Sequence, residues 1–347
     1  MGLWAFALSG GAFLFWATLV RKRDDSGKGR PKNRSPEQQH KEDAFSAHLR
    51  DPLVALPIAR ARERWEAARK RGEAEDLWIP VRPGRAFGPR RLHGTLWFPE
   101  GASGDELTRP ALAAILVHGY TGSAGDMSFL AEEYRARGIP ALQVDLRGHG
   151  ESEGPFIGMG YPDSKDLGLW VALLKERFGG DVKIVLHGVS MGAAAAILFP
   201  AEKEPAIAAV VGDCGFSSVR KQFMNMAGAF FAANPVQRAV TWILLSGMSA
   251  VNFVLGGSFF FQNSPERALK KRRGRPPLAL FHGERDALVA PEMFADLLEA
   301  AGGEGAAARM IPGAPHMGSY FYAPGEYMGV IFDLLGEEGP FKTKRGR

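Results

Sequence analysis

Three side chains far apart in the chain have the types needed to cleave an acyl bond: Ser190, Asp286 and His316. Ser190 is the centre of Gly188-Val189-Ser190-Met191-Gly192. The pentapeptide follows an apolar run at 183–186 and opens an Ala-rich helical stretch at 192–199. A serine on such a sharp strand-to-helix turn sits on a strained backbone that leaves no room for side chains two residues either side, which accounts for Gly188 and Gly192. The helix N-terminus behind it favours developing negative charge. A serine hydroxyl is a poor nucleophile until a base takes its proton. Of the eight histidines, His316 is the best-placed base, in the loop Gly313-Ala314-Pro315-His316-Met317-Gly318 after the last predicted strand. Loops at the carboxyl ends of parallel strands are where catalytic groups converge. His118, His187 and His282 each end an apolar run and precede glycine, a pattern that fits strand-end packing, and His93 and His149 lack the loop context.

The base needs an acid to fix its tautomer and stabilise the imidazolium. Asp286, in His282-Gly283-Glu284-Arg285-Asp286-Ala287-Leu288-Val289, follows a strand and precedes His316 by 30 residues, and Asp213, after the preceding strand, is the competing acid. A tetrahedral intermediate also needs two backbone donors for its oxyanion. The expected pair is the N–H of Met191, next to the nucleophile, and the N–H of Tyr120 in His118-Gly119-Tyr120-Thr121-Gly122, whose glycines let the backbone bend toward substrate.

These loops must hang on a frame. Runs at 77–81 and 91–98 read as leading antiparallel strands, and 112–117 is continuously apolar, as a strand buried on both faces should be. Strands at 139–144, 183–186, 207–211, 278–281 and 307–311 then alternate with helical patterns at 128–137, 166–178, 192–199, 292–300 and 327–335. Such alternation predicts an α/β fold, a parallel sheet with helices on both faces.

The chain of 347 residues is 46% hydrophobic and 23% charged, which excludes a disordered chain, a collagen-like repeat and a polytopic membrane protein. One cysteine, Cys214, excludes a disulfide framework and any cysteine-based zinc site. The net charge of +5 is uneven: residues 1–36 carry +5, residues 340–347 carry +4, and the 303 residues between them sum to −4. The basicity belongs to the tails, so a nucleic-acid partner loses its main support. Neither a G-x-x-x-x-G-K-[ST] nor a G-x-G-x-x-G pattern occupies the glycine-rich loop at 118–122, and no His/Asp cluster has ligand spacing, so no nucleotide, other cofactor or metal is expected.

Residues 3–20 form an uncharged stretch just long enough for one bilayer crossing, and Arg21-Lys22-Arg23 follows at once. A secretory signal would carry its positive charges first and end in a cleavage site, so residues 1–20 read as a permanent anchor, the alternative being a cleaved signal whose true start lies upstream. The basic flank then places the rest of the chain in the cytoplasm, at the cell membrane. Residues 24–50 read as a flexible linker and 57–71 as a short charged helix, together a segment 21–74, with the catalytic domain over 75–336 and a basic tail at 337–347. Within a cap insertion at 216–265, residues 239–261 carry no charge. A membrane crossing there would put the strands before and after it on opposite sides of the bilayer, so a helical cap with an apolar inner face is expected instead. Such a surface lines a greasy ligand or rests on lipid. The basic run Lys270-Lys271-Arg272-Arg273, with Arg275, reads as a solvated loop or a contact for anionic head groups.

Taken together, residues 75–336 resemble the serine-hydrolase branch of the α/β-hydrolase superfamily. The chain order Ser190, Asp286, His316 is that of the superfamily. Asp145-Leu146-Arg147-Gly148-His149-Gly150-Glu151-Ser152 looks like its D-x-R-G-x-G-x-S loop. Ile157-Gly158-Met159-Gly160 and Asp213-Cys214-Gly215-Phe216-Ser217-Ser218 are similar to features of bacterial membrane-anchored hydrolases of the serine aminopeptidase and monoacylglycerol-lipase-like type. The resemblance implies an eight-stranded α/β-hydrolase fold, the triad placed above and a cap inserted after strand six, although the 223–262 stretch is longer and greasier than the pattern. Three functions follow from the sequence: a membrane-tethered esterase for an acyl-chain-bearing ester or lipid, a serine peptidase or amidase with the same triad, and a non-catalytic membrane scaffold, against which the intact triad argues.

Overall fold

The computed structural model describes residues 2–19, 51–81, 90–102, 109–230, 234–272, 274, 276–303 and 305–338. The expected linker at 24–50, Arg273, Arg275 and the basic tail from 339 onward lie outside the described residues.

Among the described residues eight strands form one sheet: β1 (Ala74–Val81), β2 (Arg90–Trp97), β3 (Leu112–Val117), β4 (Ala141–Val144), β5 (Lys183–Val189), β6 (Ile207–Asp213), β7 (Leu278–Gly283) and β8 (Ala307–Ile311). Their order is β1-β2-β4-β3-β5-β6-β7-β8. β2 runs antiparallel to β1 and β4, and every other pairing is parallel. The central strands are buried on both faces, β3 along its whole length, because helices cover the sheet on each side. One face carries α4 (Tyr161–Phe178), α5 (Met191–Leu198) and α9 (Pro291–Ala300), and the other carries α3 (Ser128–Arg135) and, after the short α10 (Ser319–Tyr322), α11 (Pro324–Glu338).

The helix expected at 57–71 begins earlier, as α2 (Pro52–Arg71), with Asp51 accepting the Leu53 N–H and Gly72 closing the other end in the left-handed region. Pro57 in the second turn hides this start from a sequence reading. Val54, Ala61, Trp65 and Ala68 form its buried stripe, and Arg64 pairs with Glu132 at 2.6 Å. α2 is therefore packed onto the catalytic domain instead of belonging to a linker.

Between β6 and β7 lie α6 (Val219–Phe230), α7 (Pro235–Gly256), α8 (Pro265–Lys271) and a 3-10 turn at Phe260–Gln262. α7 is the one described helix long and apolar enough to cross a membrane by length and composition. Yet β6 and β7 pair directly, Val210 opposite Leu278 through Asp213 opposite Phe281, so the chain returns to the side it left and α7 stays with the cap. Of the basic run after the cap, Arg272 turns inward, where its guanidinium donates to the main-chain oxygens of Ile197 and Leu198 at the end of α5.

The N-terminal helix α1 (Gly2–Leu19) does not stand apart. Ala7, Gly11, Phe15 and Leu19 are buried at four-residue spacing, one face of a helix. That face lies along α7, with glycines at the crossing: a Cβ on Gly11 would come within 2.3 Å of Met248 N, and one on Gly247 within 1.7 Å of Ala7 O. Small residues let two helix backbones approach this closely.

Candidate active site

β5 ends at Val189 and α5 begins at Met191, so Ser190 alone makes the turn between them, at φ 57° and ψ −116°. A non-glycine residue there is strained, and the surroundings must hold it. They do so closely. A Cβ on Gly188 would lie 2.2 Å from Gly192 O, and one on Gly192 would lie 2.1 Å from Val117 O. The Ser190 N–H is held by the Asp213 main-chain oxygen at 2.8 Å, and the Ser190 oxygen accepts the first bond of α5 from Ala194 N–H.

His316, five residues beyond β8, brings Nε2 to 3.0 Å from Ser190 Oγ. Its Nδ1 lies 2.7 Å from Asp286 Oδ2. All three side chains are buried. The other oxygen of Asp286 accepts the N–H groups of Leu288 at 2.9 Å and Val289 at 2.8 Å. Burial by itself would raise the Asp286 pKa, but His316 beside it, with these donors, outweighs burial and holds the carboxyl below its ordinary range. The group is thus an anion facing the ring nitrogen opposite the serine, as a base that must become a cation requires.

Asp213 does not share this role. Its Oδ1 accepts from Ser319 Oγ at 2.6 Å, and burial pushes its carboxyl up to about 6. Two contacts escaped the sequence reading because neither has a local signature. His282 Nε2 donates to Val289 O at 2.9 Å and lies 3.4 Å from Asp286 Oδ2, behind the acid. Cys214 Sγ lies 4.0 Å from His316 Nε2. Cys214, Asp286 and His316 each offer one atom within a 4.8 Å group that could ligate a metal ion. The donor set fits a proton relay better, since Asp286 and His316 already bind each other and burial pushes the Cys214 thiol up, away from the thiolate a metal needs.

The loop after β3 passes against the nucleophile: a Cβ on Gly119 would meet Ser190 Cβ at 3.1 Å. Met191 is the first residue of α5, where a helix N–H has no intrahelical acceptor. Met191 directly follows Ser190, and Tyr120 directly follows Gly119 in the loop that presses on it. The D-x-R-G-x-G-x-S loop is scaffolding for this edge. Asp145 accepts from the N–H groups of Ala124 at 2.6 Å and Glu151 at 3.0 Å and pairs with His93 Nδ1 at 2.7 Å. Gly150, at φ +47°, leaves room that a Cβ 2.0 Å from Asp145 Oδ1 would fill. Arg147 pairs with Asp166 on α4.

The family described as serine aminopeptidase, S33, matches residues 108–269, which include the Tyr120 loop and Ser190. Among solved structures, an esterase of Pyrococcus furiosus is 21% identical, covering 77% of this chain and 93% of its own, at a TM-score of 0.56. An α/β-hydrolase of Vibrio vulnificus is 20% identical, covering 92% and 100%, at 0.57. The α/β-hydrolase GrgF of a Penicillium species is 17% identical, covering 76% and 98%, at 0.52. The chain has the α/β-hydrolase fold. No curated protein sequence matches this chain. The family match ends before Asp286 and His316, so the acid and the base rest on the geometry given above.

Proposed function

We propose that the hydrolase is a membrane-associated serine esterase. Ser190 Oγ attacks the carbonyl of a carboxylic ester while His316 Nε2 takes its proton. The carbonyl oxygen, now an anion, is held by the N–H groups of Tyr120 and Met191. His316 returns the proton to the departing alcohol, leaving an acyl-Ser190 ester. A water then gives His316 a proton as it attacks, and the acid is released with Ser190 restored. The single observation that carries this reading is the continuous relay Ser190–His316–Asp286, at 3.0 and 2.7 Å.

An acyl-chain-bearing or lipid ester is favoured over a peptide by the cap. Between Lys221 and Glu266 only Arg238 is charged, and each methylene buried against such a surface contributes about 0.8 kcal/mol. A peptide terminus would need a charged or polar group beside it. A peptidase or amidase is the second reading, supported by the family match alone.

The cap and α1 also support membrane association. Phe13 and Trp16 of α1 are 66% and 57% exposed, and Trp242 and Val254 of α7 are 49% and 66% exposed. Phe253 stacks on Phe259 at 4.1 Å, and Phe259 on Phe261 at 5.5 Å, with Phe253 and Phe261 exposed. This paired apolar surface suits the lipid boundary, and the sequence Arg21-Lys22-Arg23 favours the cytoplasmic side. Of the run at 270–275, Lys270 and Lys271 could share that contact, whereas Arg272 is engaged with α5.

Fluorophosphonate labelling tests the core of the reading. Wild-type protein is expected to label and Ser190→Ala is not; a wild-type protein that fails to label overturns it. A panel of p-nitrophenyl esters of increasing chain length, with matched anilides, then separates esterase from amidase.

A further inference from the structure

The last turn of α1 ends on the catalytic loops. Helix C-termini leave their last carbonyls without intrahelical partners, and here the catalytic domain supplies them. Tyr120 Oη donates to the Thr18 oxygen at 2.5 Å, and the Ile157 N–H donates to the Leu19 oxygen at 2.8 Å. Phe15 packs against Phe156 at 5.1 Å, and Leu19 is fully buried among the core side chains. A helix serving only as a tether would have no use for a fitted end of this kind. The Tyr120 contact is the consequential one, because the same residue supplies a backbone N–H beside Ser190. Its side chain is half-buried against the core, and its loop already presses on Ser190 Cβ through Gly119.

We infer that the docked end of α1 is a working part of the active site: through the Tyr120 hydroxyl it positions the Tyr120 N–H that stabilises the oxyanion. This rests on the esterase reading above and adds to it a positioning role for Tyr120 and a dependence of the chemistry on α1. The physical basis is the steepness of oxyanion stabilisation with geometry. Removing one such donor costs about 100- to 1,000-fold in rate, and a misplacement of about 1 Å can cost about 100-fold. A loop tied at its hydroxyl to a helix end is held against such drift. Because α1 is held along α7 by the glycine crossing at Gly11 and Gly247, whatever loosens that helix pair loosens the oxyanion site.

Full-length protein in detergent micelles tests this with two variants. Tyr120→Phe keeps the ring and the backbone N–H and removes only the hydroxyl. Gly11→Val places atoms where Met248 N now lies and pushes α1 off α7. Tyr120→Phe is expected to lower kcat on a p-nitrophenyl ester about tenfold or more, by the steepness just described, with KM and the pH profile of kcat unchanged. It should weaken a trifluoromethyl ketone, whose adduct with Ser190 carries an oxyanion, by the same factor. Gly11→Val should show a similar loss, and the double variant should be no slower than the worse single one, since both remove the same support. Tyr120→Phe activity within twofold of wild type, a loss confined to KM, or losses that multiply in the double variant would each overturn the inference. Where Gly11→Val does not accumulate, Tyr120→Phe decides alone. If wild type labels with fluorophosphonate while Tyr120→Phe is unimpaired, the inference falls and the esterase reading stands; if wild type does not label, the esterase reading itself falls.

Discussion

Asp286 and His316, thirty residues apart in the chain, meet at 2.7 Å between Oδ2 and Nδ1, and the acid's second oxygen is taken by two backbone N–H groups of its own loop. The carboxylate is thereby aimed before the ring arrives. Asp286→Asn keeps the shape but presents an amide to Nδ1 and favours the wrong tautomer. It should lower kcat by about 10,000-fold, as such a change does in serine proteases, with little change in KM. Steady-state kinetics on a p-nitrophenyl ester reads this; retention of more than a tenth of wild-type kcat would show that another acid serves His316.

Asp213 and Asp163 give a pH dependence of stability opposite to that of Asp286. Both are buried, and burial pushes each carboxyl up to about 6 from 3.8. A carboxyl with a raised folded-state value holds its proton more tightly folded than unfolded. Its contribution is therefore fully present below about pH 4 and is lost as pH rises through about 6. For Asp213 the loss is at most about 3 kcal/mol. Asp286, held low, contributes above its unfolded value and loses that contribution as pH falls. Thermal melts from pH 4 to 7 should show Asp213→Asn gaining on wild type as pH rises; a constant difference across that range would contradict the raised value.

Arg272 closes the end of α5 by donating to Ile197 and Leu198 oxygens. Arg272→Met leaves buried carbonyls without donors and should cost about 1–3 kcal/mol in denaturant unfolding. It should leave vesicle binding as it was, whereas a role on anionic lipid predicts weaker binding at unchanged stability.

Trp16 and Trp242 report on the exposed apolar surface shared by α1 and α7, and Trp242 also carries the Arg220 guanidinium over its ring at 5.2 Å. With anionic vesicles, tryptophan emission should shift to the blue, and quenchers on the acyl chains should reduce it. Phe253→Ser with Phe261→Ser should weaken the shift. Emission unchanged by lipid would mean that another partner covers this face.

Much of this molecule is written locally. The run Leu112–Val117 reads as a doubly buried strand because all of its side chains are apolar, and it is one. Gly188 and Gly192 announce the elbow because backbone atoms occupy the space where their side chains would be. The loop bearing Asp286 is legible because it follows the apolar strand β7, and the loop bearing His316 because it follows the last strand. Pro57 concealed the first turn of α2, since local propensity counted against a helix that the stripe from Val54 to Ala68 stabilises through burial.

Helix α1 and the cap show where local information stops. A helix as uniformly apolar as Gly2–Leu19 has no polar face to say which side turns inward. Composition alone therefore marks it as greasy and long enough for a bilayer, and nothing more. That Ala7, Gly11, Phe15 and Leu19 face the protein, and that the Thr18 oxygen meets the Tyr120 hydroxyl across 102 residues, depends on where the cap and the sheet edge lie in space. The chain order of amino acids determined the reacting groups, because strand, turn and helix are set by near neighbours. Only the packed structure decided what those groups rest against, because such contacts join segments whose sequences carry no mark of one another.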